Sequence, residues 1–390
     1  MRDHDPLLDH DPLRDHDARR DHDARRDRDR GLLPREVPVQ LIDPSGRTVP
    51  DDEYDAPDGD RLLEAYRALV VGRRINEQCT VLVRQGRLAV YPSSRGQEAC
   101  QVAAALALAD GDWLFPTYRD SVAIITRGVD PEETLTLLRG DWHSGYDPRE
   151  RHVAPQATPL ATQLLHAVGV AQAARLRGEP TVVLALCGDG ATSEGDFHEA
   201  VNFAAVFHAP VVFFVQNNEF AISVPLSRQT AASSLAAKGV GYGIRGIRVD
   251  GNDVAAVLAV LDQAIAHARA GGGATLVEAH TYRMEAHTNA DDDTRYRERD
   301  DVAAWVERDP LARMRTYLTG SGALDDRLEE LFAREADAVA TELREAMNRE
   351  VTVDPEDLFR FVYAERTPQL DAEWAGLQGE LARAGEEEAR

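Results

Sequence analysis

Residues 187–220 read CGDGATSEGDFHEAVNFAAVFHAPVVFFVQNNEF, and this stretch decides the fold. It completes one apolar run, TVVLALC, places Asp189 between two glycines, and returns after a helical pattern to a second apolar run that ends at Asn217 and Asn218. Short apolar runs separated by amphipathic segments are typical of parallel strands that are covered by helices on both faces. The stretch therefore predicts an α/β unit in which polar side chains follow two strand ends.

The same pattern extends along the chain and predicts the α/β class, with a parallel sheet between two layers of helices. Residues 39–50 (VQLIDPSGRTVP) predict an initial strand and a turn, and Thr158 followed by Pro159 is typical of a helix start. Strands are expected at 181–187, 210–216 and 274–279, and helices at 60–85, 96–109, 120–139, 162–176, 196–207, 253–270 and, as charged surface helices, within 301–350.

Composition excludes several classes of function. The chain has 390 residues, of which 43% are hydrophobic, so it is long enough for a large core. Its net charge of −24 argues against binding to nucleic acid or anionic membranes, because phosphates repel such a field. No apolar run approaches the roughly 20 residues of a membrane span. Three scattered cysteines are expected to be buried thiols, and the charged N-terminus shows no secretory signal, so we expect a cytoplasmic protein.

The first 36 residues differ from the rest. Residues 2–30 repeat a six-residue unit, RDHDPL or RDHDAR, with almost no apolar side chains. Such a segment buries too little surface to offset its ordering entropy, so a disordered tail is expected at 1–36. Its regularly spaced histidines would allow weak metal binding, but the composition favours a solvated tail. One folded domain is expected at 37–365, followed by a C-terminal helix and frayed tail at 366–390.

Asp189 and Asn218 are 29 positions apart, which leaves room for one loop, one helix and one return strand. Because parallel strands end at the same edge of a sheet, their oxygens are expected to converge. Carboxylate and amide oxygens suit Mg²⁺, and Gly188 and Gly190 permit close approach of a diphosphate. An ordinary strand–helix turn explains the Gly-Asp-Gly triplet alone, but the joint pattern favours a metal–diphosphate site.

The joint pattern resembles the thiamine diphosphate motif. The resemblance implies that Asp189 and Asn218 ligate magnesium, that Phe220 adds its main-chain carbonyl, and that Gly188, Gly190 and Ala191 line the diphosphate turn.

Further segments resemble one family, the alpha subunit of the decarboxylating component of 2-oxo acid dehydrogenase complexes, of the pyruvate and branched-chain types. The matching segments are RQGRLAVYPSSRGQEA (84–99), WLFPTYRD (113–120), TPLATQLLHAVGVA (158–171), GDGATSEGDFHEAVNFAAVF (188–207), QNNEFAISVP (216–225), GYGIRGIRVDGNDV (241–254) and TYRMEAHTNADDDTRYR (281–297). Together they cover essentially the whole part of the chain that is expected to fold.

This resemblance implies further roles. Tyr118 and Arg119 match a pair at the cofactor's phosphate end, and Arg283 fits a second phosphate contact. Leu160 matches a residue whose main chain meets the aminopyrimidine. His287 matches a loop histidine near the cofactor's reactive carbon. In some members the segment that matches residues 158–163 (Thr158 to Gln163) binds potassium.

The loop around His287 departs from the family pattern at Glu285 and Ala286. A carboxylate at Glu285 would either raise the pKa of His287 by charge pairing or face solvent. Thr288 stands where some relatives carry a regulated serine.

The resemblance implies oxidative decarboxylation of a 2-oxo acid and acylation of a lipoyl group on an acyltransferase component. A beta subunit would supply the glutamate that activates the cofactor, in an alpha-two beta-two heterotetramer. Two alternatives stay open, the alpha subunit of an acetoin-cleaving dehydrogenase and a catalytically silent scaffold. The choice between pyruvate and branched-chain substrates is also open, with Tyr91 and Tyr118 expected near the substrate.

Overall fold

A computed structural model describes residues 31–141, 144–350 and 354–388, and the side chains of residues 386–388 lie outside the description. The described chain divides into two compact units that meet in sequence between Met347 and Asn348. The sequence analysis placed the end of the dehydrogenase domain at residue 365. The predicted disordered tail lies, up to residue 30, outside the described residues.

The first unit is built on a parallel sheet of five strands, which confirms the predicted fold class. The strand order is β1-β2-β3-β7-β6, and a separate two-stranded antiparallel hairpin, β4-β5, follows β3. The strands are β1 (Trp113–Phe115), β2 (Val183–Gly188), β3 (Val211–Asn217), β4 (Phe220–Ala221), β5 (Val224–Pro225), β6 (Arg245–Asp250) and β7 (Thr275–His280).

Helices surround the sheet and contain most of the remaining ordered chain. In the first unit they are α1 (Gly59–Arg84), α2 (Glu98–Leu106), α3 (Ser121–Thr126), α4 (Pro131–Arg139), α5 (Pro148–Arg151), α6 (Thr162–Arg177), α7 (Gly195–Phe207), α8 (Val254–Arg269), α9 (Arg299–Val306), α10 (Pro310–Gly320) and α11 (Asp326–Asn348), the last ending at the first residue of the second unit. The second unit contains α12 (Asp357–Arg360) and α13 (Pro368–Glu388).

The central strands are buried on both faces, as the apolar runs predict. Alternate residues of β2 and β3 enter two separate hydrophobic clusters. On one face Leu184 and Phe214 pack with α1, α2 and α8, and on the other Ala185 and Phe213 pack with α6 and α7. This alternation is the two-residue period of a strand, and each face excludes water through its own helices.

The sequence patterns did not predict either edge strand, β1 or β6. β1 has only three residues, too few to show a period, and β6 (RGIRVD) carries charged side chains that obscure its apolar pattern. The strand predicted at residues 39–50 was wrong, since this segment forms only isolated bridges, one of them between Val39 and Val249 of β6.

Two helix predictions were also wrong in detail. The helix expected at 120–139 is divided between α3 and α4, because Gly128 has a φ of +95° and Asp130 caps a new helix through the N–H of Glu132. Thr158 does not begin a helix, since α6 begins at Thr162.

The strand order brings four loops to one edge of the sheet. Gly188 at the end of β2 pairs with Gln216 of β3, so Asp189 emerges beside Asn217. β1 on one side leads to Tyr118, and β7 on the other side leads to Arg283. The carboxyl ends of neighbouring parallel strands therefore assemble a common edge, where ligands bind in open α/β sheets.

Cys79, Cys100 and Cys187 are free thiols in the interior, as predicted, and burial raises the pKa of each. Among the described helices none has the length and apolar character needed to cross a membrane.

Candidate functional site

A cavity opens at the carboxyl edge of the sheet, and every residue that the resemblance assigned to the cofactor or to magnesium lines it. These residues come from the loops after β1, β2, β3 and β7 and from the turn before α6. They are Tyr118, Arg119, Leu160, Gly188, Asp189, Gly190, Ala191, Asn218, Phe220, Arg283 and His287.

Asp189 is the buried carboxylate of this cavity. Its side chain is 1% exposed, and its Oδ2 atom accepts a 2.6 Å hydrogen bond from Nε2 of Gln229. Burial raises the pKa of Asp189, and the hydrogen bond from Gln229 opposes that rise. No cationic side chain in the described ranges forms an ion pair with it. The charge of Arg283 acts on Asp189 only from beyond ion-pair distance, and a buried carboxylate without an ion-pair contact is costly, so this position favours a bound cation.

The turn after β3 brings the oxygens of Asn218 and Phe220 to the cavity that Asp189 lines. Glu219 has a φ of +71°, which reverses the chain directly after Asn218. The N–H of Glu219 donates to Oδ1 of Asn217, while the one bond that Oδ1 of Asn218 accepts within the described residues is a long one of 3.3 Å, from the N–H of Phe220. Gly190 is needed opposite this turn, because a Cβ there would lie 2.8 Å from Cβ of Ala221. The turn and the glycine loop are therefore in direct contact.

Arg119 and Arg283 are buried guanidinium groups at 5% and 1% exposure. Arg119 donates to the carbonyl oxygens of Ser93 and His287. Arg283 donates to the carbonyls of Phe220 and Ile222, and its Nε has no partner in the described structure. Neither guanidinium forms an ion pair with a carboxylate of the described residues, so both retain positive charge available for an anion.

His287 lies against both arginines. Its Nδ1 atom is 3.1 Å from a terminal nitrogen of Arg119 and 3.5 Å from one of Arg283. The main-chain N–H of His287 donates to Oδ2 of Asp291. Burial, followed by the charges of Arg119 and Arg283, lowers the pKa of His287 to about 4. Guanidinium groups only donate hydrogen bonds, so Nδ1 accepts and the neutral ring carries its proton on Nε2.

Glu285 does not pair with His287. Its carboxylate forms a 3.6 Å ion pair with Arg95, and both side chains are partly exposed. The suggestion that Glu285 raises the pKa of His287 was therefore wrong, because the neighbouring positive charges lower that pKa instead.

The turn before α6 contributes Leu160 and Ala161 to the cavity wall and the first turn of α6 contributes Gln163, whereas Thr158 is not among the lining residues. Leu160 is 41% exposed although it is apolar. Gln163 is buried, and its Nε2 donates to the carbonyl of Leu186 while its Oε1 has no partner in the described structure.

The sequence analysis did not assign roles to several residues of the cavity. Gln97 and Gln216 line it and are both 2% exposed, and Ile222 forms part of its rim. Both glutamines stand in segments that carry the resemblance, so they were visible, but amides have no distinctive spacing. Tyr91 was expected near the substrate, yet its hydroxyl donates to Oδ1 of Asn76, and Tyr91 is not among the residues that line the cavity.

The chain has clear similarity to known proteins. The family described as "Dehydrogenase E1 component" matches residues 66–356. The "3-methyl-2-oxobutanoate dehydrogenase subunit alpha" of Mycobacterium tuberculosis is 50% identical over 348 residues, which are 89% of this chain and 95% of that protein. The "Pyruvate dehydrogenase E1 component subunit alpha" of Staphylococcus aureus is 39% identical over 314 residues, 80% of this chain and 85% of that protein.

Proposed function

The chain belongs to the dehydrogenase E1 component family and is a 2-oxo acid dehydrogenase alpha subunit, and from this premise we propose that its cavity binds thiamine diphosphate through Mg²⁺. With a beta subunit it would decarboxylate a 2-oxo acid oxidatively and acylate a lipoyl group.

One observation carries the proposal. The carboxylate of Asp189 and the guanidiniums of Arg119 and Arg283 are buried, form no ion pair among the described residues, and line the same cavity. Their charges complement those of a magnesium diphosphate, in which the cation meets the carboxylate and the phosphate oxygens meet the guanidiniums.

The oxygen donors suit Mg²⁺. Asp189, the amide oxygen of Asn218 and the carbonyl of Phe220 are hard ligands, and Mg²⁺ is commonly held by one or two carboxylates and a substrate phosphate. Clusters of three or more His, Cys, Asp or Glu side chains that suit a metal are absent from the described ranges. This absence favours a cation that shares a single carboxylate with neutral oxygens over a zinc-type site.

We extend the proposal to potassium in the segment 158–163. The Oε1 atom of Gln163 is buried and has no partner in the described structure, and the hydroxyl of Thr162 lies close by in sequence. A buried, unsatisfied oxygen is costly unless it meets a donor, a water or a cation.

The bound cofactor would supply a carbon nucleophile and accept the electrons that decarboxylation releases. Leu160, which is apolar and 41% exposed, lines the cavity and would meet the aminopyrimidine of the cofactor. His287, neutral with its proton on Nε2, would donate a hydrogen bond that orients the substrate carboxylate, or would take part in proton transfer to the sulfur released during lipoyl acylation.

The cavity needs a partner to be complete. Among its described lining residues the only carboxylates are Asp189, used here for the metal, and Glu194, which is exposed. The activating carboxylate is therefore proposed to come from a beta subunit. Ile222 at the rim is 55% exposed and Val224 beside it is 43% exposed, which supports coverage by another chain. The proposed assembly is an alpha-two beta-two heterotetramer that docks on a lipoyl acyltransferase.

We propose a branched-chain 2-oxo acid as substrate, because the relative that is 50% identical is named for 3-methyl-2-oxobutanoate. The test is reconstitution of this chain with its beta subunit and comparison of kcat/KM for 3-methyl-2-oxobutanoate, pyruvate and acetoin with an artificial electron acceptor. We expect activity only with both chains, and a preference for the branched acid of at least about tenfold, the scale set by a few methylenes. Activity that does not depend on thiamine diphosphate and Mg²⁺ would contradict the cofactor proposal.

A further inference from the structure

Three buried amide side chains connect the cavity to a carboxylate that does not line it. Nδ2 of Asn218 donates to Oε1 of Gln97 at 2.9 Å, and Nε2 of Gln97 donates to Oε1 of Gln216 at 3.1 Å. Nε2 of Gln216 then donates to Oδ1 of Asp120 at 2.7 Å. We call this series the amide relay. Asp120 is fully buried, and the three amides are at most 6% exposed.

The carboxylate at one end sets the direction of every bond in the relay. Oδ2 of Asp120 accepts from the N–H and the hydroxyl of Thr117, so a charged Asp120 can only accept at Oδ1 as well. Gln216 must therefore turn its NH₂ group toward Asp120 and its oxygen toward Gln97. For the same reason Gln97 turns its NH₂ group toward Gln216 and its oxygen toward Asn218. Asn218 therefore donates its NH₂ group to Gln97 and presents its oxygen to the cavity.

Asn217, the residue before Asn218, is also oriented by a buried carboxylate, but through a single direct hydrogen bond. Nδ2 of Asn217 donates directly to Oε1 of Glu278 at 2.8 Å, and its oxygen accepts from the N–H of Glu219. Each asparagine of the pair is thus oriented by its own buried carboxylate, and only the longer series reaches the oxygen that faces the cavity.

We propose that Asp120 is a positioning residue that acts through Gln216 and Gln97 to hold the Asn218 oxygen toward the bound divalent cation. The inference rests on the proposed function only in naming the cation, since the direction of the relay follows from the hydrogen bonds. An inverted Asn218 would present an NH₂ group to a cation, which repels it and supplies no ligand.

The substitution Asp120→Asn should reverse the direction of each hydrogen bond in the amide relay, although the new side chain has nearly the same shape as the old one. The oxygen of the new amide stays opposite the N–H of Thr117, so its NH₂ group must face Gln216. Gln216 and Gln97 then rotate by half a turn to keep their bonds, and Asn218 has to offer its oxygen to Gln97. The amides of the relay remain satisfied, the N–H of Phe220 loses only its long 3.3 Å bond to Oδ1 of Asn218, and the amide nitrogen of Asn218 turns toward the cation.

A second substitution restores the direction. In Asp120→Asn combined with Gln216→Glu, the carboxylate moves from position 120 to position 216. There it accepts from the new amide and from Nε2 of Gln97, which sets Gln97 and Asn218 back to their original orientation. The pair of changes conserves charge and volume. Asp112→Asn is the matched control, because Asp112 is equally buried but lies before β1, at the opposite edge of the sheet, paired with Arg269.

The measurement is Mn²⁺ affinity, read by the electron paramagnetic resonance of the free ion, in the full chain assembled with its beta subunit and thiamine diphosphate. We expect Asp120→Asn to weaken Mn²⁺ binding at least about tenfold, the double variant to return within about threefold of the wild type, and Asp112→Asn to leave it unchanged. Wild-type affinity in Asp120→Asn, or loss without recovery in the double variant, overturns the relay. If Asp120→Asn does not fold alone, the double variant decides on the same criterion.

If the wild-type assembly takes up neither ion nor cofactor, the proposed function fails and the relay is judged separately. A neutron structure of the chain would then locate the deuterium atoms of Asn218. Deuterium atoms that point to Gln97 support the relay, and deuterium atoms that point into the cavity overturn it.

Discussion

Nδ1 of His287 lies 3.1 Å from a terminal nitrogen of Arg119. The contact joins the loop after β7 to the loop after β1, and it places a titratable ring beside a permanent positive charge. The ring must therefore accept a hydrogen bond through Nδ1 and remain neutral over most of the accessible pH range.

The first prediction concerns the protonation of His287. We expect a pKa near 4 and a proton on Nε2, to be measured by NMR of histidine labelled with ¹⁵N in the ring. Because the folded pKa lies below the ordinary value of 6.5, the unfolded chain binds this proton first, and the folded state loses stability as the pH falls from 6.5 towards 4. Arg119→Met should raise the pKa of His287, and an unchanged value would show that the charge of Arg119 does not contribute to lowering it.

The second prediction concerns Asp189. Asp189→Asn removes a buried charge that has no ion-pair partner in the described chain, so the metal-free variant should be at least as stable as the wild type at pH 7. It should lose the rise in melting temperature that Mg²⁺ with thiamine diphosphate gives the wild-type assembly. Thermal unfolding with and without both ligands tests this, and a variant that keeps the full rise would refute the metal assignment.

The third prediction compares two arginines. Arg119→Met should weaken thiamine diphosphate binding by about 10–100-fold, since charge-assisted hydrogen bonds are worth about 1.5–3 kcal/mol. Arg95→Met is the control, because Arg95 is 43% exposed and paired with Glu285, and it should change affinity less than threefold, about the effect of an exposed ion pair. Fluorescence titration of both assembled variants measures the difference. Equal losses would mean that the phosphate end does not meet Arg119.

The fourth prediction separates binding from catalysis at His287. His287→Ala should slow lipoyl acylation by about 100-fold or more, the usual range for a removed proton donor, and change cofactor affinity much less. Single-turnover acylation of an isolated lipoyl domain and cofactor titration provide the two numbers. Losses of similar size in both would assign His287 to cofactor binding instead.

The fifth prediction concerns stability away from the cavity. Asp253 is fully buried, and it caps α8 through the N–H groups of Ala255 and Ala256 while Oδ2 accepts from those of Leu41 and Ile42. Asp253→Ala leaves these donors unsatisfied and should lower the free energy of unfolding by about 2–4 kcal/mol.

Asp58 is the matched control, since it caps α1 through one N–H, that of Arg61, at an exposed position. Asp58→Ala should cost about 1 kcal/mol. Urea unfolding of the two variants gives the comparison, and equal costs would contradict the role given to burial.

The sequence determined the parts of this protein that depend on local pattern. The apolar runs of β2 and β3 have no polar interruption in their cores, so their burial was predictable, and β7 was predicted from its Leu-Val pair although it also carries Glu278. The Gly-Asp-Gly turn and the Asn-Asn pair follow two of these strands directly, so their meeting at one edge was predictable too. The edge strands β1 and β6 carry no such pattern, and only the sheet itself revealed them.

The tertiary structure alone decided which atom of each site residue faces the cavity and which charge it carries. The direction of the Asn218 amide depends on Gln97, 121 positions away in sequence, and on Asp120 beyond it. The pKa of His287 depends on Arg119, 168 positions away, and not on the nearby Glu285. Residue types and spacings specify which groups are present, but hydrogen-bond direction and electrostatic environment arise only when distant segments pack together and exclude water.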